Sequence, residues 1–119
     1  MEDKRKAPTE GTNQNQIQYT IENRVLSILK DGKTHQRQEL SQIIRCADKS
    51  IRYAIASLRE QGYLIVSSSN SSGYKISEDF GEIQECIRER ERRITKEMKI
   101  TNAMRNSLYK KIDNNEIGI

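Results

Sequence analysis

The chain has 119 residues, of which 34% are hydrophobic and 32% are charged, so it has room for one small domain with extensions and only a modest core. It contains no apolar run near the length of a membrane span and no signal peptide, which predicts a soluble cytoplasmic protein without membrane contact. Cys46 and Cys86 match no metal spacing, and His35 is the only histidine, so neither a metal nor a cofactor is expected.

The net charge of +4 is concentrated in one part of the chain. Residues 18–77 carry nine basic and five acidic side chains, whereas basic and acidic residues balance before and after that segment. A basic domain between neutral flanks suggests a polyanion as partner. Ordinary solubilising charge also explains an excess this small. The choice between these two interpretations therefore depends on where the cations lie.

The N-terminal half begins with a polar segment and continues with two amphipathic helices. Residues 1–17 contain the only proline, Pro8, and are predicted to form a disordered tail. A first helix is predicted over residues 19–30, with Thr20 as its cap and Asp31-Gly32 as its stop. Its apolar stripe consists of Ile21, Val25, Ile28 and Leu29.

A second helix is predicted from residue 34 or 35 to residue 44, after a connector over residues 33–35 that is a candidate strand. Its inward positions are Leu40, Ile43 and Ile44. Gln36 and Arg37 fall in its first turn, where backbone amides point outward and provide a site for a phosphate.

The third helix is predicted within residues 46–63, as the second helix of a helix-turn-helix, with Asp48 capping its start and Gly62 ending it in a left-handed conformation. Its core face consists of Ile51, Ala54, Ile55 and Leu58. Its outer face consists of Lys49, Tyr53, Ala56 and Glu60, with Arg52 and Arg59 along one flank. Only the first two turns of that outer face carry groups suited to reading bases.

After Gly62 the apolar period changes from 3.6 to 2, which predicts a β-hairpin. Its strands are predicted over residues 63–67 and 73–77, around a small polar loop over residues 68–72. The predicted order is therefore helix, helix, helix, hairpin.

From residue 78 to residue 113 the pattern predicts one long, charged helix, followed by a short tail over residues 114–119. Arg90 and Glu97 interrupt a heptad frame through Phe80, Ile87 and Ile94, so a strict coiled coil is not expected. A long helix with a thin apolar stripe needs a partner, either a second copy of the chain or its own domain. The residues expected to support a homodimer are Ile83, Ile87, Ile94, Met98, Met104 and Leu108.

The sequence from Lys49 to Ile55, the Leu-Arg-Glu-Gln-Gly-Tyr run that begins at Leu58, and the Gly-Tyr-Lys-Ile run that begins at Gly73 resemble a known family. The family is the winged helix-turn-helix of the biotin-operon-repressor type, and the chain is also similar to small winged-helix proteins of phages and prophages. The resemblance implies a mainly α fold with a small β-hairpin: a winged helix-turn-helix over residues 18–77, then a long C-terminal helix.

The resemblance also implies which residues would form a DNA-binding site. Base contacts would fall on Lys49, Ser50, Arg52 and Tyr53, and the phosphate contact at a helix end on Gln36 and Arg37. The wing lacks the basic tip that such wings often carry, so its contacts reduce to neutral groups such as Asn70 and to one nearby cation, Lys75. The implied core consists of Ile51, Ile55, Leu58, Tyr63, Ile65, Tyr74 and Ile76.

The expected function is sequence-specific binding of double-stranded DNA by a small transcriptional regulator, or a replication or accessory factor, of a phage or mobile element, acting in the host cytoplasm. The alternative is a winged-helix module that binds another protein and not DNA. An enzyme is not expected, because the sequence offers no nucleophile–base set, no paired carboxylates for a pocket and no phosphate-binding glycine loop.

Overall fold

The computed structural model describes residues 14–67 and 72–114. Its elements are α1 (Gln14–Leu29), β1 (His35–Gln36), α2 (Arg37–Ile44), α3 (Asp48–Glu60), β2 (Ile65–Ser67), β3 (Gly73–Ile76) and α4 (Phe80–Asp113). The expected mainly helical architecture with a small sheet and a long C-terminal helix is confirmed. The chain divides into two compact units between Ile83 and Gln84, and each is described separately below.

Helix α1 begins five residues earlier than the sequence pattern predicts. Residues 14–17 are helical, and the rest of the expected disordered tail lies outside the described residues. Thr20 is therefore not a cap but an interior residue, whose hydroxyl donates to the carbonyl of Gln16 at 3.1 Å. The predicted stop is confirmed, because Gly32 adopts a φ of +75° and its amide bonds the carbonyl of Leu29.

The core of the first unit lies where α1, α2 and α3 pack together and the sheet closes one side. Its fully buried side chains include Val25, Leu29, Leu40 and Ile51. One inward assignment was wrong, since Ile43 is 49% exposed. Helix α2 is only eight residues long, and its buried positions Leu40 and Ile44 are one turn apart, which turns Ile43 out of the core.

The sheet has the order β1-β3-β2 and is antiparallel throughout. Strand β1 is real but is displaced to His35–Gln36, where His35 faces Tyr74 of β3. Strand β2 begins at Ile65, two residues later than predicted, and β3 ends at Ile76.

Tyr63 was expected in the core but is 40% exposed, and its neighbour Leu64 is 50% exposed. The cause lies at the end of α3, where Gly62 has a φ of +104° and the amide of Tyr63 still bonds the carbonyl of Leu58. Tyr63 therefore belongs to the helix terminus and not to the strand ladder. The other implied core residues are buried, apart from Ile76, which is half-buried.

Helix α4 begins at Phe80 and is capped by Asp79, whose carboxylate accepts from the amide of Glu82 at 3.2 Å. The hydroxyl of Ser77 supports this turn, since it accepts from the amide of Asp79 and donates to the carboxylate of Glu82. Phe80 is 82% exposed, whereas Ile83 is only 9% exposed. Ile83 therefore belongs to the buried residues of the first unit and not to the exposed residues of α4.

The second unit consists of α4 from residue 84 onward. Every side chain over residues 91–111 is exposed. No helix among the described residues is long and apolar enough to cross a membrane.

Candidate nucleic-acid interface

The first two turns of α3 present a polar surface opposite their buried face. Lys49 and Arg52 are exposed, Tyr53 is 57% exposed, and the Lys49 ammonium lies 5.7 Å from the centroid of the Tyr53 ring. The burial of Ile51 and Ala54 fixes the rotation of the helix, so these three side chains point away from the core. A cation, a guanidinium and a phenol are groups that bond base edges and phosphates.

Asp48 joins this surface to the start of α2. Its carboxylate accepts from Arg37 Nε at 2.6 Å and lies 3.4 Å from Arg52 Nε. The predicted cap role of Asp48 was wrong: the cap residue is Ala47, in an extended conformation without a side-chain bond, and Asp48 is the first helical residue. A carboxylate there is favourable because the helix dipole is positive at its N-terminus.

Arg37 links three elements of the first unit. Its pKa is raised by hydrogen bonds with the Tyr74 hydroxyl and with Asp48, so its guanidinium ties α2 to β3 and α3. The Arg37 side chain is 30% exposed, compared with 59% for Arg52. Arg37 therefore offers only part of its guanidinium to a ligand, whereas Arg52 offers most of its surface.

Gln36 lies at the start of α2, beside Ser72 at the end of the β2–β3 connection. Its side-chain oxygen accepts from the Ser72 hydroxyl at 3.2 Å, and the amide of Arg37 bonds the Ser72 carbonyl at 3.1 Å. The start of α2 is thus held against the end of this connection. Asn70, the predicted wing contact, lies outside the described residues.

Two predicted site residues, Lys75 and Ser50, are less exposed than Lys49 and Arg52. Lys75 forms an ion pair with Glu82 at 3.0 Å, and the pKa of Glu82 is lowered by its hydrogen bond with Ser77 and by Lys75. Because successive residues of a strand point to opposite faces, Lys75 lies on the other side of β3 from Tyr74. Ser50 is half-buried, and its carbonyl accepts from Gln18 at 3.5 Å.

The role of Arg59 differs from its predicted position on the flank of the outer face. Its Nε donates to the carbonyl of Ile65 at 2.8 Å, and its guanidinium lies 5.9 Å from the centroid of the Tyr74 ring. Arg59 therefore anchors β2 and β3 to α3. The sequence signal for this contact is weak, because it joins residues on different elements.

The turn between α2 and α3 exposes a further cation that the sequence reasoning did not assign to the site. Arg45 is exposed and adopts a left-handed conformation with a φ of +63°. The Ser41 hydroxyl closes the turn by donating to the carbonyl of Cys46 at 2.6 Å. Cys46 is half-buried, and burial raises the pKa of its thiol, as expected for a reduced structural cysteine.

His35 has carboxylates on both ring nitrogens. Nδ1 lies 2.9 Å from Glu39 and Nε2 lies 2.9 Å from Asp31, which raises the pKa of His35, chiefly through the bond with Glu39. These contacts tie the end of α1 to β1 and α2. Within the described residues, no group of three or more His, Cys, Asp or Glu side chains is arranged to hold a metal ion.

Comparisons with protein-family models, with curated proteins and with solved structures returned no match for this chain.

Proposed function

We propose that residues 14–83 form a winged helix-turn-helix that binds double-stranded DNA sequence-specifically and without enzymatic activity. The order α1-β1-α2-α3-β2-β3 supports this proposal, because it is the order of a winged helix, in which α2 and α3 form the helix-turn-helix. In this assignment α3 enters the major groove, and the β2–β3 connection is the wing.

The observation that carries the proposal is the surface at the start of α3. Lys49, Arg52 and Tyr53 are exposed there together, and Asp48 connects Arg52 to the half-buried Arg37 of α2. A recognition helix contacts bases with its N-terminal residues, and arginine bonds guanine at two atoms. The net charge of +4 is also concentrated in the segment that contains this surface.

The biological role that fits such a chain is that of a small transcriptional regulator, or a replication or accessory factor, of a phage or mobile element, in the host cytoplasm. One winged domain makes few phosphate contacts, so we expect weak binding by a single copy and a steep loss of affinity with added salt.

A second candidate function is a protein-binding module. Tyr63 and Leu64 favour it, because both are exposed apolar side chains in sequence after α3. In that case Tyr53 and the serine-rich connection would contact a protein partner, and Lys49 and Arg52 would be solvating charges.

Selection of bound sequences from a random duplex library at two salt concentrations tests the proposal. We expect enrichment of a defined sequence, with binding weaker at the higher salt concentration. The double variant Lys49→Ala/Arg52→Ala should weaken binding to the selected duplex by about 100-fold or more, since each good base contact contributes about 1–3 kcal/mol.

The matched control is Lys30→Ala/Lys33→Ala, which removes the same charge from exposed positions around the turn after α1. It should change affinity far less than the α3 double variant while both retain the wild-type circular dichroism. Equal losses in the two double variants would show charge attraction without a reading face. Absence of any enriched sequence would favour the protein-binding module.

A further inference from the structure

The second unit carries an exposed apolar stripe along α4. Ile87, Ile94, Met98 and Leu108 are between 45% and 59% exposed, and they recur at helical spacing. Together with Thr101 and the half-buried Ile112 they fall within an arc of about 100° when each residue turns the helix by about 100°. A stripe of this width is typical of a helix that pairs with another helix.

Two opposite charges lie inside the same stripe. Glu91 occupies the position between Ile87 and Ile94, and Arg105 occupies the position between Thr101 and Leu108. Both are exposed, and Arg105 donates one bond to Asn102 of its own helix at 2.8 Å. The stripe is therefore a seam with one acidic position in its N-terminal half and one basic position in its C-terminal half.

We propose that α4 of two copies of this chain pairs in an antiparallel dimer through this seam. A parallel pair would bring Glu91 against Glu91 and Arg105 against Arg105, and like charges on a helix seam are unfavourable. An antiparallel pair centred between Lys99 and Ile100 brings each Glu91 within reach of Arg105 of the second copy. The charge pattern therefore favours a second copy of this chain as the partner of α4, and an antiparallel orientation of the two helices.

The same centre sets the contacts of the other seam residues. It places Ile87 against Ile112 of the second copy at both ends and Met98 against Thr101 in the middle, while Ile94 and Leu108 lie opposite Arg105 and Glu91. On one flank Arg88 faces Tyr109 of the second copy, where a guanidinium stacks favourably on the ring. The seam begins at Ile87 because Ile83 is buried in the first unit.

The dimer separates the N-terminal ends of the two helices. In the antiparallel pair the two copies of Gln84 lie about 45 Å apart along the helix axis, at about 1.5 Å per residue. In a parallel pair they lie side by side. This inference depends on α4 alone and not on DNA binding, so it is tested without DNA.

A charge-reversal cycle in the full chain tests both association and direction. Glu91→Arg and Arg105→Glu each place like charges together twice in the antiparallel pair, so each should weaken the dimer by at least about tenfold in Kd. The double variant Glu91→Arg/Arg105→Glu exchanges the two charges and should restore most of the wild-type affinity. Sedimentation equilibrium gives the Kd values.

The matched control is Lys110→Glu, which makes the same charge change as Arg105→Glu on the side of α4 away from the seam. It should leave the Kd within about threefold of wild type. Single variants as tight as wild type would overturn the antiparallel assignment. A full-length chain that sediments as a monomer at about 100 µM, where a Kd of that size corresponds to about 5–6 kcal/mol of association, would overturn the dimer itself.

A distance measurement gives a second readout. Spin labels at Gln84→Cys, in a chain whose native cysteines carry Cys46→Ser and Cys86→Ser, should show a separation near about 45 Å, as expected from the helical rise. A separation below about 25 Å would indicate parallel helices and would overturn the proposal. Retained wild-type helicity and sedimentation are required of the labelled chain before the distance is interpreted.

Discussion

At the scale of single residues, Asp48 connects the two arginines of the proposed DNA surface. It accepts from Arg37 at 2.6 Å and lies 3.4 Å from Arg52, so one carboxylate restricts both guanidinium groups. A side chain that is already ordered loses less conformational entropy on binding, so this restriction lowers the entropic cost of binding. An acidic side chain beside a DNA surface also repels phosphate, so in the proposed complex we expect Asp48 to lower affinity for any duplex and to increase discrimination between sequences.

The variant Asp48→Asn should therefore raise binding to unrelated duplex and lower the preference for the selected one. The repulsion is removed, but Arg52 is no longer held by an ion pair. We expect the ratio of specific to non-specific affinity to fall by about tenfold, the loss typical of one poorly placed base contact. Competition titrations with selected and scrambled duplexes measure this ratio, and Glu60→Gln at the other end of α3 is the matched control. An unchanged ratio would show that Asp48 does not position Arg52.

His35 makes the stability of the first unit depend on pH. Its pKa is raised from 6.5, chiefly by the bond with Glu39, so its stabilising contribution is complete below about pH 6.5 and is lost as pH rises through the raised value. The pKa values of Asp31, which bonds the Lys33 amide and His35, and of Glu39, which bonds His35, are lowered. Their contribution is lost as pH falls through those lowered values.

We expect the wild-type chain to lose stability between pH 5.5 and pH 8.5, and the variant His35→Gln to lose less over the same range. Urea unfolding curves at the two pH values measure the change in the free energy of unfolding. A pKa that differs by one unit between the folded and the unfolded chain changes this free energy by at most about 1.4 kcal/mol. The pH window follows from the raised His35 pKa. Identical pH dependence in both chains would mean that the two carboxylates do not favour the charged imidazole.

At the scale of elements, α2 shows how one short helix divides its apolar residues between core and surface. Leu40 is fully buried against α1 and α3, whereas Ile43 is 49% exposed. The sequence pattern predicts that both residues are buried, because an eight-residue helix is too short for its apolar period to define one face by itself. The packing of α2 on α3 decides which of them is buried.

Leu40→Ala should lower the free energy of unfolding of the first unit by about 2–5 kcal/mol, because it removes a buried side chain and leaves a cavity. Ile43→Ala on the same helix should cost less than about 1 kcal/mol. Denaturant unfolding followed by circular dichroism compares the two. Similar losses from both substitutions would indicate that Ile43 is covered in solution, for example by a protein partner.

At the scale of the whole molecule, the two units draw their stability from different sources. The first unit has a core of buried side chains from α1, α2, α3 and the sheet, together with Ile83. In the second unit the residues from 91 to 111 are exposed, and Arg92 forms an ion pair with Glu85 of the same helix. A helix without tertiary packing is marginal in water, so the second unit should depend on association.

Amide hydrogen exchange at two protein concentrations tests this difference. Protection over residues 87–113 should increase with protein concentration, because the proposed dimer covers the seam of α4. Protection in α1 and α3 should stay the same. Protection of α4 that is equal at both concentrations would contradict a helix stabilised by pairing.

The sequence by itself determined the element types and most of their order. Hydrophobic spacing identified the core faces of α1 and α3, Gly32 and Gly62 marked helix ends, and the change of period marked the paired strands. These features depend on neighbouring residues, so they can be derived from spacing. Element ends were less certain: α1 starts earlier, β2 starts later and α4 is capped by Asp79.

Only the tertiary structure decided how the candidate site is assembled. Asp48 looks like a cap in sequence, but Arg37 approaches from another helix and takes its carboxylate. Tyr63 follows the strand pattern, yet the left-handed turn at Gly62 keeps it at the helix end and exposed. Lys75 is basic and close to the proposed wing, yet Glu82 pairs with it on the other face of β3. Each outcome depends on a residue distant in sequence or on a turn that redirects the chain. The spacing of hydrophobic residues predicts neither of these.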